Sequence, residues 1–199
     1  MVAEPLYPRK MTPEAYLTWE AEQEYRHEYI DGEILAMTGG SIPHTKIYLN
    51  LYRALYSHLS QRGCEAYVAD VKVKDQKNDR YFYPDLVITC DSEDLQARDF
   101  VQSPTVIVEV LSPSTANYDR SRKFKCYQQL ETLREYILID SESIFVEIYR
   151  RGEGRTWLYQ SYGADENMII VSVEFEVPLQ TLYEGIVFDD KPIESTEKE

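Results

Sequence analysis

The sequence predicts an α/β (α+β) fold in a single domain, and three observations carry that expectation. Two short apolar runs, Leu86–Thr89 and Val106–Leu111, are β-branched and bounded by proline and polar residues, the pattern of strands buried on both faces. Residues 43–61 repeat Ile47, Leu51, Leu55 and Leu59 at four-residue spacing, the stripe of a helix packed on a sheet. Alternating, turn-rich segments near either end add a hairpin and an antiparallel meander.

In chain order, residues 1–10 read as a flexible lead-in to a domain spanning 11–188. Thr12 caps a helix whose first turn holds Pro13, and Tyr16, Leu17 and Trp19 give it an apolar side up to about residue 24. Strands over 25–30 and 33–37 flank Asp31-Gly32, the strongest hairpin signal in the chain. Gly39, Gly40 and Ser41 turn into the long helix, and Gly63 stops it. One strand is expected over 66–74, then a turn over 75–80 into the run after Asp85. The polar stretch after Leu111 leads to a helix expected over 119–132, with Asp119 in its first turn. Strands follow over 136–140, 144–150, 156–162 and 168–177. The charged segment 189–199 reads as a frayed tail.

A net charge of −14 and a pI near 4.7 argue against coating nucleic acid by bulk attraction, while leaving room for a local basic groove. No run approaches the ~18 apolar residues of a membrane span. Cys64, Cys90 and Cys126 are odd in number and lack paired metal spacing, which points to reduced thiols and a cytoplasmic setting. The 17 tyrosines can cover apolar surface while keeping a wet hydroxyl.

The chemistry concentrates on the two central runs, because each carries one acid. Asp85 opens the first and Glu109 lies within the second, and carboxylates so placed need a cation, either a divalent ion or a lysine. On a helical wheel with Lys123 at 0°, Tyr127 falls near ~40°, Leu130 near ~340° and Cys126 near ~300°. Lys123 therefore sits in the middle of the face turned to the sheet. Lys125, at ~200°, points away.

Pro84-Asp85 followed by Glu109-Val110-Leu111 resembles the PD-(D/E)XK signature of restriction-endonuclease-like nucleases, with Leu111 where that signature has its lysine and Lys123 as the replacement. The segments YRHEYIDGEI, YPDLVI, VEVLSPST, YDRSRK and REYILID are similar to the Uma-two family of such nucleases, over roughly residues 11–188. The resemblance implies a restriction-endonuclease-like mixed central β-sheet flanked by helices, with the N-terminal hairpin and C-terminal meander as additions. It further implies Mg2+ (or Mn2+) held by Asp85 and Glu109, Lys123 as the third catalytic residue, DNA as the partner cleaved, and a homodimer for duplex cutting. The alternative is a catalytically inactive nucleic-acid-binding or assembly module of the same fold. A hydrolase of another phosphate ester is a third reading.

Other residues divide between a site role and a bland one. His44 either faces the acids or packs as a core histidine, and His27 and His58 read as ordinary. Glu28 and Glu33 flank the hairpin turn, and either supplies a further carboxylate to a metal or stays solvated, as one of them is expected to on alternating strands. Ser112, Ser114 and Thr115 either bind phosphate or form a proline-constrained turn. Arg120, Arg122, Lys123 and Lys125 are the densest basic cluster, a phosphate contact or a solvated helix face.

Overall fold

A computed structural model describes residues 10–37 and 39–188. The expected lead-in and tail fall outside those residues, apart from Lys10. Helix α1 (Pro13–Glu20) starts at a Thr12 cap whose hydroxyl accepts the Ala15 N–H, and it ends four residues earlier than the sequence suggested. Strands β1 (His27–Ile30) and β2 (Glu33–Ala36) pair across Asp31-Gly32. Both turn residues have positive φ, 53° and 93°, as a two-residue hairpin requires.

Helix α2 (Ile42–Ser60) follows a Ser41 cap and buries Ile47, Leu51, Leu55 and Leu59. Each such side chain contributes about 1.5–3 kcal/mol through burial. The single strand expected over 66–74 is instead two, β3 (Glu65–Val68) and β4 (Lys72–Asp75), which belong to different sheets. The chain breaks at Ala69, in left-handed conformation at φ 54°, a backbone event that alternation in the sequence does not mark. Strands β5 (Arg80–Phe82), β6 (Leu86–Thr89), β7 (Phe100–Val101) and β8 (Val106–Leu111) follow.

After β8 comes a short helical turn, α3 (Ala116–Tyr118), then a π-helical turn Asp119–Lys123 and α4 (Phe124–Tyr127). The expected helix over 119–132 is therefore shorter at its end and widened at its start. Next are β9 (Glu135–Asp140), β10 (Phe145–Arg151), β11 (Trp157–Gly163), β12 (Asn167–Ile170), β13 (Phe175–Pro178) and α5 (Leu179–Leu182).

The main sheet has the order β11-β10-β9-β8-β6-β3, mixed because β8 and β9 run parallel while the other pairs are antiparallel. A second sheet, β2-β1-β5-β4-β7, carries the hairpin. The meander is real for β9, β10 and β11. The expected strand over 168–177 folds back on itself as a separate β12-β13 hairpin, broken by a 3-10 turn at Val171–Val173.

Period-two alternation along β8 divides the core. Val106, Val108 and Val110 pack with α2, while Ile107 and Leu111 pack with Cys126, Tyr127 and Leu130 after the π-turn. Glu109 points to that second side.

The cysteines depart from the reduced state expected of them, since Cys64 and Cys90 form a disulfide and Cys126 is free and buried. The cause is register. Glu65 lies opposite Thr89 in the antiparallel β3-β6 pair, so the next residues outward, Cys64 and Cys90, also face each other. Cysteine usage thus gives no support for a reducing compartment. Among the described residues, no helix is long and apolar enough to cross a membrane.

Candidate active site

The register of the central strands brings the two acids together. Leu86 pairs with Val108 in antiparallel β6-β8, so one step further Asp85 falls opposite Glu109. The Asp85 carboxylate is tethered there, with Oδ2 accepting the Val110 N–H at 2.7 Å. Glu109 is 4% exposed and accepts from the Tyr127 hydroxyl through Oε1 at 2.9 Å.

Lys123 arrives from the π-turn and is also 4% exposed. Its Nζ lies 2.8 Å from Glu109 Oε1, 2.8 Å from Glu28 Oε1 and 3.9 Å from Asp119 Oδ1. The helical wheel therefore placed Lys123 correctly, and Lys125 is exposed as it required. Single π-turns inside helices frequently mark functional sites. Here the turn contains both Asp119 and Lys123, and both point inward.

Glu28, from β1, joins the cluster by the hairpin's pleat. Its Oε1 accepts the Tyr83 N–H and its Oε2 the Tyr118 hydroxyl, at 3.3 and 3.0 Å. Glu33 goes elsewhere, to Arg122. Two of the four acids, Glu28 and Asp119, thus lay outside the pair singled out from the strand pattern. The signal that could have found Asp119 is its i,i+4 spacing to Lys123, which puts the two on one helix face.

His44, in the first turn of α2, completes the group, with Nε2 3.2 Å from Asp85 Oδ2. His27 bonds Glu20, and His58 meets the Val173 carbonyl, so both are structural as expected. Ser112 bonds Ser114 and Thr115 at 3.0 and 3.1 Å, closing the turn internally. Arg120 and Arg122 are spent on Glu147 and Glu33. The basic cluster is largely neutralised by its own protein.

Four carboxylates against one lysine and one histidine make a crowded site. Burial, and then the charges of Asp119, Asp85 and Glu28, push the Glu109 pKa well above the ordinary carboxylate value despite the pull of Lys123. Burial likewise raises Asp119, opposed by Lys123 and by a Thr115 hydrogen bond. For Lys123, burial works against the ammonium, but Glu109, Glu28 and Asp119 outweigh it and hold its pKa well above normal. For His44 burial is again outweighed, by the hydrogen bond and charge of Asp85 together with a backbone hydrogen bond to Val110, and its pKa rises.

The donor set suits a hard divalent cation. The bonds above use Oδ2 of Asp85 and Oε1 of Glu109. Among the described residues, no hydrogen bond or ion pair takes the other oxygen of either acid. No three His, Cys, Asp or Glu side chains among the described residues converge as a metal cluster. A cation would rest on two carboxylates and on water, a partly hydrated shell that magnesium favours.

A mixed sheet with an Asp just before one central strand, a Glu on the neighbouring strand and a lysine delivered from the following helical segment fits a restriction-endonuclease-like fold. The chain belongs to the Uma2 family, whose model, described as "Putative restriction endonuclease", matches residues 13–181. Uncharacterized protein slr1290 of Synechocystis is 36% identical over 179 residues, covering 90% of this chain and 94% of that protein. Uncharacterized protein sll1609 of the same organism is 33% identical over 150 residues, 74% of this chain and 85% of that protein. A crystal structure from Anabaena variabilis, described as "a putative nuclease belonging to DUF820", shares the fold with a TM-score of 0.72 at 19% identity. The match covers 87% of this chain and 97% of that one.

Proposed function

We propose that the chain is a metal-dependent endonuclease that hydrolyses phosphodiester bonds in DNA, using Mg2+ or Mn2+ held by Asp85 and Glu109. The observation that carries this reading is the meeting of Lys123 Nζ with Glu109 at 2.8 Å, one residue from the Val110 N–H that tethers Asp85. Family membership supports nuclease chemistry independently. A bound divalent ion supplies an acidified water and positive charge at the scissile phosphate.

The protein's own groups do the rest. Glu28 and Glu109 hold the Lys123 ammonium between them, which keeps positive charge beside the position where the phosphate oxygens gain charge. Tyr127 and the Val110 N–H restrain one oxygen of each acid, which leaves the other oxygen of each for the cation. A two-fold dimer would offer one such site to each strand of a duplex.

The inactive assembly module keeps two observations in its favour, since the net charge is −14 and the arginines beside the site are already paired. Plasmid nicking with magnesium or manganese separates the two readings. The wild type is expected to nick and Asp85→Ala to lose nicking while remaining folded. Absence of nicking by the wild type, or equal nicking by Asp85→Ala, overturns the nuclease.

A further inference from the structure

His44 is built into the site more tightly than a packed core histidine needs to be. Its ring meets Asp85 through Nε2 at 3.2 Å, on the same Oδ2 that accepts the Val110 N–H at 2.7 Å. The ring packs edge-on against Tyr48 with centroids 5.9 Å apart. Its other nitrogen, Nδ1, is buried and, among the described residues, has no hydrogen-bond partner. Native proteins seldom leave a buried polar atom so, and such exceptions call for a reason.

Gly40 explains how the ring is kept there. A Cβ on Gly40 would stand 2.6 Å from His44 Nδ1, so the glycine lets the preceding turn close directly onto the ring. The backbone at Gly40 does not have positive φ, so what the position demands is space beside His44. The turn before α2 and the helix's first turn thus press Nε2 toward Asp85.

We propose that His44 is the positioning residue of Asp85: Nε2 donates to Oδ2, and with the Val110 N–H it holds the carboxylate so that Oδ1 is the oxygen left for a cation. The cation in this statement rests on the nuclease reading above, whereas the clamp itself does not. A ligand's hydrogen-bonding partner orients it and tunes its affinity, and losing such a partner typically weakens metal binding about 10–100-fold. Gln can place an amide N–H where the Nε2–H lies, and Ala cannot.

The test has two arms on the full chain, with the thermal midpoint of every variant measured as a folding control. In the first, nitrogen NMR of the histidine rings in metal-free protein is expected to show His44 protonated on Nε2. That signal should change in Asp85→Asn and in Gly40→Ala, which alters neither partner chemically. A His44 signal unchanged in both variants overturns the clamp. In the second arm, calorimetric titration with magnesium and with manganese is expected to show His44→Ala and Gly40→Ala binding about 10–100-fold more weakly. His44→Gln should recover most of the loss, which a merely structural role would not produce. Equal affinity in wild type and folded His44→Ala overturns the proposal. A clamp seen in the first arm with no metal bound by the wild type overturns the nuclease reading and leaves the His44–Asp85 assignment standing.

Discussion

Replacing Lys123 with methionine keeps the apolar stem and removes the charge that three buried acids share. At an effective dielectric of about 20, each 2.8 Å contact to Glu28 and Glu109 is worth ~6 kcal/mol of attraction, before the cost of burying the charges is counted. That burial cost cancels most of the attraction, and removing one partner of a buried pair typically destabilises by about 3–5 kcal/mol. For a chain of this size the loss corresponds to a fall in melting temperature of about 6–20 °C. The deficit should depend on pH with a definite sign. The Glu109 pKa is raised by burial, so the folded state holds its proton to higher pH than the unfolded chain does. The stability from that proton is fully present below the ordinary carboxylate pKa and is lost as pH rises through the folded value. Lys123→Met removes the cation that pulls this value down, so the loss extends higher and the deficit is smaller at pH 5 than at pH 8. Lys123 itself titrates above both conditions. Glu109→Gln should cost less, because Lys123 retains Glu28. Urea and thermal melts at the two pH values check this. A Lys123→Met protein that melts with the wild type, or with one deficit at both pH values, refutes the buried cluster.

Two further changes probe the frame around the site. The Cys64–Cys90 disulfide closes a loop of sequence separation 26, so Cys64→Ser/Cys90→Ser should lose about 3.5 kcal/mol under oxidising conditions. The comparison is a denaturant midpoint with and without reductant, and a wild type indifferent to reductant counts against the bridge. Ala69→Gly removes the cost of a left-handed alanine and should raise stability by about 0.5–1 kcal/mol. A lower midpoint in the same melts would mean that Ala69 is not in that conformation.

What the sequence revealed follows from what is local. The β-branched runs of β6 and β8, the Asp31-Gly32 turn and the α2 stripe are statements about neighbours in the chain, and each appears in the structure where expected. Lys123 was legible for the same reason, since a helical wheel needs only spacing. What escaped depends on registers between distant segments. Cys64 meets Cys90 only because β3 lies antiparallel to β6, and Glu28 meets Lys123 only because the second sheet packs under the π-turn. The break at Ala69 also left no mark, because alanine carries no turn preference that would announce a positive φ.

That division bears on how the site works. The sequence offered two acids and one lysine, an arrangement that nearly balances without any ion. Glu28 and Asp119 tip it toward negative charge inside the protein, and their charges add to the burial that chiefly raises the Glu109 pKa. For a purely structural ion pair Glu28 adds attraction to Lys123, but each further carboxylate also costs desolvation and repels Glu109. On the metal-dependent reading proposed above, the excess serves an incoming divalent ion, which would replace protons and relieve repulsion in one event. Stability should then rise on adding magnesium most strongly where the acids are ionised. Protection against thermal unfolding is therefore expected to grow from pH 5 to pH 8, and protection that shrinks over that range would show that Asp85 and Glu109 are not the ion's seat.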